Sequence, residues 1–483
     1  MAAVGALATL FLVLAIPGPE PEVEPAPARG AAFAWNRDAF WRALETRFAA
    51  TRRAGCEAAG PETARGLAAI TRHLTALDRR ASAPDAPVFD SLETAFFTLG
   101  PVVAACPARL REFVALANRT RDVVKLQSRR WDVSTDAARR RLYRALYGSR
   151  GVVEEAMLHH PDSVSALYVG AEAPSATPST VVQGVRIHSG DILVSRGGFP
   201  TSALIARGND YPGNFSHVAL VHVDSATGAA STVEAHIESG VLVATPQQYL
   251  ADKKLRILVL RLRADLPRLA AEPLLPHRAA AAALARARAG HIPYDFAMDY
   301  TDPSKLFCSE VASAAYRAEA VTLWTGHSTL SAPGLRRWLA AFGVRHFETQ
   351  EPSDLEYDPQ LAVVAEWRDP AWLLRDHVDN AVIDAMLEGA ERGDVLAYAW
   401  YALPLARLAK GYSWVLERFG KVGPVPEGMP ARAALRNKAF SARQRALAAR
   451  VFAGAERFTA ETGYSPPYWV LLDLARAAGG DPR

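Results

Sequence analysis

The chain has 483 residues, of which 50% are hydrophobic, 22% charged and 9% aromatic. This ordinary composition supplies enough apolar material for a packed core, and the length predicts two to four domains. The 55 basic and 51 acidic residues leave a net charge of +4, so no polyanionic partner such as nucleic acid is implied.

The N-terminus carries an unbroken apolar run from Ala2 to Ile16, which Pro17 ends. The run is shorter than a typical membrane span and matches the apolar region of a secretory signal, although no Lys or Arg precedes it. Small residues at Ala26–Ala28 offer a cleavage site. We expect residues 1–30 to be a signal peptide, or an uncleaved N-terminal anchor, with a Pro-rich linker. The protein is then exported to the periplasm or outside the cell, and no other stretch is expected to span a membrane.

Residues 35–180 are predicted to form a helical domain and a linker that starts at Glu172. Apolar residues recur there at three- and four-residue spacing, and the dipeptide Gly60-Pro61 and the turn at 82–84 are expected to separate helices. The region is a lid or docking domain, or equally a stabilising appendage. Cys56 and Cys106 lie in it and are available to pair as a disulfide, which suits an exported protein.

After the linker the hydrophobic period changes to that of strands. Residues 185–370 contain short β-branched runs broken by Gly, Asp and Asn, then a helix over 277–290 and a last strand over 361–369. The run at 254–263 has apolar residues on both faces, which favours a central, covered strand. Residues 371–483 return to helical spacing, and their aromatic residues are more often core than substrate groove.

Alternation along the strands predicts which side chains share a face. His217 begins one strand, and His222 points to the opposite face, so the two cannot chelate one metal from a regular strand. Glu234 and His236 share a face on the next strand, which a hairpin at 224–228 joins to the first. Glu234 is placed to orient an imidazole, or else it is a solvated carboxylate; the pattern does not separate the two. His236 is the alternative orienting group.

Cys308 ends a polar, Pro-containing loop and starts a helical stretch. A helix N-terminus favours thiolate, and its N–H groups suit an oxyanion hole. A free cysteine is usually a small buried hydrophobe, but Cys308 has polar flanks. Ser309 either caps the helix or joins the chemistry. Tyr294 and Asp295 either shape the preceding turn or contact substrate, and shaping the turn is a sufficient explanation.

Four motifs in this order resemble the circularly permuted branch of the NlpC-type papain-like cysteine amidases, the YiiX-like amidases. The motifs are GDILVSRG, NFSHVALVHV, STVEAHIESGV and IPYDFAMD with KLFCSEVASAAY. The resemblance covers about residues 185–320. It implies an α+β fold: a permuted papain-like core with a Cys-bearing helix on an antiparallel sheet, flanked by all-α regions. It also implies Cys308 as nucleophile, His217 as base and Glu234 as the third polar group.

The leading hypothesis is therefore a thiol amidase or peptidase that forms an acyl-enzyme on peptidoglycan stem peptides or related small amides. No cofactor and no metal are expected, since no HExxH motif occurs. The partners would be a small peptide, amide or cell-wall substrate. Relatives resembling lecithin retinol acyltransferase use the same machinery on lipids, which keeps a lipid-directed acyl hydrolase or acyltransferase as an alternative. A catalytically silent binding or scaffold protein is the third.

Overall fold

A computed structural model describes residues 9, 11–21, 23, 38–171 and 173–480. The expected cleavage site at 26–28, the first residue of the linker, Glu172, and residues 35–37 of the first predicted helix lie outside this part of the chain.

Helices fill the region before the sheet, as their apolar spacing predicts. They are α1 (Ala39–Ala54), α2 (Cys56–Arg79), α3 (Pro87–Ala105), α4 (Leu110–Ser128), α5 (Asp136–Tyr143) and α6 (Ser149–His159), with a π turn (Arg144–Gly148) before α6 and 3-10 turns at Pro107–Arg109 and Pro161–Ser163.

The expected break at Gly60-Pro61 is wrong, because α2 runs through both residues. Pro61 lies one turn into the helix on its exposed side, where water can take the one carbonyl that loses its N–H partner. The break falls instead at Gly55, whose φ of +83° suits glycine. The turn at 82–84 does separate α2 from α3.

The seven-stranded antiparallel sheet has the order β1-β11-β8-β4-β5-β6-β7. Its strands, together with the two short two-stranded pairs β2–β3 and β9–β10, are β1 (Leu167–Val169), β2 (Ser179–Val182), β3 (Val185–His188), β4 (Ile192–Gly197), β5 (His217–Val223), β6 (Ala230–His236), β7 (Gly240–Ala244), β8 (Lys254–Leu262), β9 (Ser328–Thr329), β10 (Glu348–Thr349) and β11 (Leu361–Trp367). As its two apolar faces predict, β8 is an interior strand, buried from Leu255 to Leu262.

Further helices connect and follow the strands. They are α7 (Pro200–Arg207), α8 (Pro246–Ala251), α9 (Pro267–Ala271), α10 (Leu275–Ala289), α11 (Cys308–Ala318), α12 (Pro333–Phe342), α13 (Asp354–Tyr357), α14 (Pro370–Glu391), α15 (Leu403–Glu417), α16 (Ala431–Thr462) and α17 (Tyr468–Ala478), with a 3-10 turn at Trp400–Ala402. The helix predicted over 277–290 is α10, and the helical return after 371 is confirmed.

One continuous hydrophobic core joins the N-terminal helices to the sheet, since Phe96 and Phe113 belong to the same buried cluster as Leu258 and Val311. Buried ion pairs reinforce this junction. Glu366 of β11 accepts from Arg121 of α4 at 2.6 Å and from Arg150 of α6. The catalytic candidate region is thus packed directly against its helical flank.

Helix α3 is long, apolar and half-buried. Among the described residues it is the one helix long and apolar enough to cross a bilayer, with a mean hydropathy of 1.3, contrary to the expectation that no such stretch exists. Half of that window is buried inside the protein, as in a core helix, and α3 packs against α2 and α6. Cys106 follows it directly and forms the disulfide with Cys56, which confirms that pairing.

Candidate active site

Cys308 is the first residue of α11, and the preceding loop is held in place by a buried carboxylate. Asp295 accepts hydrogen bonds from the N–H groups of Ala297 at 2.9 Å and Asp299 at 2.5 Å. Tyr294 pairs with Leu306 as an isolated bridge. Asp295 therefore orients the loop, which was one of its two predicted roles.

The side chain of Glu310, in the first turn of α11, stabilises the start of that helix. Its carboxylate accepts from the N–H of Phe307 at 3.1 Å, so one donor at the helix N-terminus is satisfied by a side chain of the first turn. Burial raises the pKa of Glu310 to about 8. The N–H groups of Cys308 and Ser309 also belong to this first turn, where a helix offers no intrahelical acceptor.

A histidine–carboxylate pair lies at the start of β5, as the alternation predicts. The Nε2 atom of His217 lies 2.7 Å from Oε2 of Glu234 on β6. The register places Glu234 opposite Ala219, so the carboxylate reaches His217 diagonally on one face of the sheet. Since Nε2 donates to Glu234, the other ring nitrogen, Nδ1, is left to act as a base.

His236 contacts the same carboxylate more weakly. Its Nε2 lies 3.1 Å from Glu234 Oε2 without the angle of a good hydrogen bond, and its ring centroid is 5.0 Å from that of His217. Thr232 adds a 3.1 Å hydrogen bond to the second oxygen of Glu234. Glu234 is 2% exposed. It is therefore a buried, partnered group rather than a solvated strand carboxylate.

Cys308 and His217 reach one cavity from opposite faces of the sheet. Helix α11 packs through Val311 and Ala312 into the core that holds Val218 and Leu220 of β5, whereas Ala219 of the His217 face packs into a second cluster. At the end of the sheet the two faces meet. Both Cys308 and His217 line a cavity of about 390 Å³ there.

In this resting structure the thiol is directed to the backbone of β5. Cys308 Sγ donates to the carbonyl oxygen of Ser216 at 3.8 Å. Among the described side chains no hydrogen bond joins the thiol to His217. Catalytic hydrogen bonds are often long or absent without substrate. The thiol must rotate from Ser216 toward the imidazole before a proton can pass.

The electrostatics of the site favour an uncharged resting pair. Burial, together with Glu351, raises the pKa of the Cys308 thiol to about 12. Burial also lowers the pKa of His217, and the hydrogen bond with Glu234 only partly offsets this. Burial works to raise the pKa of Glu234, but His217 and then His236 hold it well below its usual range. The carboxylate is thus ionised beside a neutral imidazole and a neutral thiol, because burial of Cys308 outweighs the preference of a helix N-terminus for thiolate.

The other residues that the sequence analysis singled out take different positions around the site. Tyr294 lines the cavity with Cys308, so it faces the site. Ser309 does not cap the helix, because it is the second residue inside α11. Its buried hydroxyl makes no well-formed hydrogen bond to any described residue and lies near enough to the thiol to lower the pKa of Cys308. His222 is structural, since its ring stacks on His277.

A second, apolar cavity of about 110 Å³ also touches Cys308. Its walls include Leu204, Phe296, Phe342 and Met429. The thiol therefore stands between an apolar cavity and the larger one, whose wall carries charged groups of both signs: Glu238, Asp252, Lys254 and Arg445.

Sequence reasoning missed the contribution of the C-terminal helices and of Glu351. Asn437 lines both cavities, and Ser441 and Arg445 line the larger one, all from α16. Glu351 lines the apolar cavity, and burial raises its pKa well above the usual range. No local pattern distinguishes these residues, because they lie more than 40 positions from Cys308 along the chain.

One further property belongs to the histidine–carboxylate cluster. The nearest ligand atoms of His217, Glu234 and His236 all lie within 4.8 Å of one another, which is the spacing of a metal site. Two imidazoles and a carboxylate are donors that suit zinc. The same contacts also hold the imidazole of His217 in one tautomer, which a thiol enzyme requires.

A free cysteine at a helix start, near a carboxylate-bound histidine on an antiparallel sheet, is an arrangement similar to that of the papain-like cysteine hydrolases. Residues 186–365 match the model of the permuted papain-like amidase enzyme family, YaeF/YiiX, C92. The match spans the region that holds the four motifs, so it confirms the resemblance read from them. No curated protein matches the chain.

Proposed function

We propose that this protein is a cysteine-dependent amide hydrolase in which Cys308 is the nucleophile, His217 the general base and Glu234 the group that orients His217. One observation carries the proposal: the thiol and the Glu234-bound imidazole line one cavity at the N-terminus of α11. The match to a peptidase and amidase family supports it. The site supplies each component that acyl transfer through a thioester needs.

The reaction follows from these groups. As Sγ attacks the amide carbon, the thiol proton passes to Nδ1 of His217 and the carbonyl electrons move to oxygen. The N–H groups of the first turn of α11 stabilise that oxyanion. The imidazolium then protonates the nitrogen as the C–N bond breaks, which leaves a thioester. Water, deprotonated by His217, attacks the thioester, releases the acid and restores the thiol.

The two cavities favour a peptide-like substrate. An apolar cavity of about 150 Å³ is large enough for benzene, so the cavity of about 110 Å³ beside Cys308 suits a small apolar side chain. The larger cavity offers Lys254 and Arg445 to carboxylates and Glu238 and Asp252 to ammonium groups. Stem peptides of peptidoglycan, and related small amides, combine these features.

Export to the periplasm or the cell exterior belongs to the same proposal. The disulfide between Cys56 and Cys106 supports it, because such bonds persist in oxidising compartments. The apolar N-terminal run also supports it.

A lipid-directed acyl hydrolase is the second candidate, favoured by the apolar lining of the cavity at Cys308. Incubation with a panel of muropeptides and phospholipids, read by mass spectrometry, decides between them. We expect muropeptide cleavage by the wild type and none by Cys308→Ala with an unchanged melting temperature. Fatty acid release alone would support the lipid reading, and full activity of Cys308→Ala would overturn both.

A further inference from the structure

Among the described residues, a group of exposed apolar side chains lies on and around α15. Nine large apolar side chains there are between 44% and 75% exposed. We call them the aromatic face; they are Trp400, Tyr401, Leu405, Leu408, Tyr412, Trp414, Val415, Phe419 and Val422. Clustered exposure of this kind on a protein surface marks a site of contact with a partner or a membrane.

The sequence of α15 shows that this face is a second apolar stripe. Leu405, Leu408, Tyr412 and Val415 follow one another at spacings of three and four residues, so they share one side of α15, and Phe419 lies just beyond the end of the helix. The opposite side is already used: Leu403 and Ala406 are buried against Ala431 of α16. Among the described residues nothing buries the outer stripe.

The charge and the aromatic content of residues 395–422 indicate what kind of partner contacts the aromatic face. From Val395 to Val422 there are four basic residues and one acidic residue, Glu417. Arg418, just beyond the end of α15, stands over the ring of Trp414 at 4.1 Å, so a cation accompanies an exposed aromatic side chain there. Trp and Tyr with adjacent Lys and Arg are the composition of helices that lie in the interface of an anionic bilayer.

A second apolar segment adjoins this face. Phe11, Leu12, Val13 and Ile16 of the N-terminal run are between 43% and 64% exposed. Arg407 of α15 fixes that segment by donating to the carbonyl oxygens of Leu14 at 2.7 Å and Ile16 at 2.9 Å. Two distant parts of the chain that carry exposed apolar groups thus meet at Arg407 of α15.

The same helix is tied to the wall of the candidate site. Lys410 of α15 donates to the carbonyl of Met429 at 2.5 Å, and Met429 lines the apolar cavity at Cys308. Ser413 accepts from the N–H of Val425 at 2.9 Å. A surface that contacts α15 therefore lies next to a segment that lines the apolar cavity at Cys308.

We propose that the aromatic face is a membrane-docking surface, which lies in the interface of an anionic lipid bilayer and holds the candidate active site beside it. The surface is independent of the chemistry at Cys308, so its test does not depend on turnover. Substrates attached to or released at that membrane would then meet the site at high local concentration.

A fluorescent label at position 408 tests this surface separately from the N-terminal run. Leu408→Cys in a Cys308→Ser background carries an environment-sensitive dye, and Val181→Cys, at an exposed strand residue, is the matched control. With phosphatidylcholine–phosphatidylglycerol vesicles we expect several-fold brighter emission at 408, quenched by nitroxide on the lipid tails, and no change at 181.

Charge is tested in the same assay. Arg418→Ala and Lys421→Ala together should weaken binding about 25-fold, at roughly fivefold per charge. No emission change at 408 with vesicles would overturn the proposal. So would a change without vesicles that grows with protein concentration, because it would show that the face binds a second copy of the chain.

Discussion

Sγ of Cys308 lies 3.8 Å from the carbonyl oxygen of Ser216, the residue directly before His217. The thiol thus contacts the backbone directly before β5. The ring of His217 contacts Glu234 on the other side of the sheet. In the proposed mechanism the thiol leaves the carbonyl oxygen of Ser216 before its proton passes to His217.

Removing the orienting carboxylate should reduce turnover in a graded way. Glu234→Gln keeps an oxygen acceptor for Nε2 and should lower kcat/KM by about 10- to 100-fold, since it loses the charge that stabilises the imidazolium. Glu234→Ala loses both the oxygen acceptor and the charge, so it should lower kcat/KM further. His236→Gln, the matched change on the weaker contact, should cost less than about fivefold. Equal losses for all three would show that Glu234 does not act through His217.

The acid limb of the pH–rate profile should report His217. A base must be neutral to act, and burial lowers the pKa of His217 below its ordinary 6.5, so activity should rise with pH through a midpoint below 6.5. Glu234 partly offsets that lowering. Glu234→Gln should therefore move the limb to still lower pH in kcat/KM measured from pH 4 to 8. A shift to higher pH would contradict the assignment.

The resting thiol should alkylate slowly at neutral pH. Because burial and Glu351 raise the pKa of Cys308 to about 12, iodoacetamide labelling should still accelerate, by about tenfold per pH unit, between pH 8 and 10. Glu351→Gln should speed labelling in that range, and Glu348→Gln, an exposed change nearby, should not. A plateau already reached at pH 7 would show a thiolate–imidazolium pair instead.

The buried carboxylate of Glu366 should matter for stability. Glu366→Gln leaves Arg121 without its carboxylate partner and removes one of the carboxylates that pair with Arg150. It should lower the free energy of unfolding by roughly 3–5 kcal/mol in urea denaturation. Glu112→Gln, which breaks the exposed pair with Arg109, should cost less than about 1 kcal/mol.

Glu366 should also make the free energy of unfolding depend on pH. Burial alone would raise the pKa of Glu366, but its arginines hold it well below the ordinary 4.5. The stability that the ionised Glu366 carboxylate contributes is therefore complete above pH 4.5. It is lost as the pH falls through the lower pKa of the folded state. The difference between wild type and Glu366→Gln should shrink on acidification, and a difference that grows would contradict this assignment.

Local sequence predicted most of the helices and strands and the residues of the candidate site. Alternation put Glu234 and His236 on one strand face, because side chains in a strand have a period of two. The polar loop and apolar spacing placed Cys308 at a helix start. Cys56 and Cys106 were the two other thiols, and they pair.

Only the tertiary structure decided how these parts meet. The strand period cannot show that α11 and the ring of His217 lie on opposite faces and share a cavity at the end of the sheet, because that depends on packing between distant segments. Nor can it show the burial that keeps the thiol of Cys308 neutral, or that Arg445 of α16 lines the site. Burial and long-range contact are properties of the folded chain, and they set both the protonation state and the walls of the site.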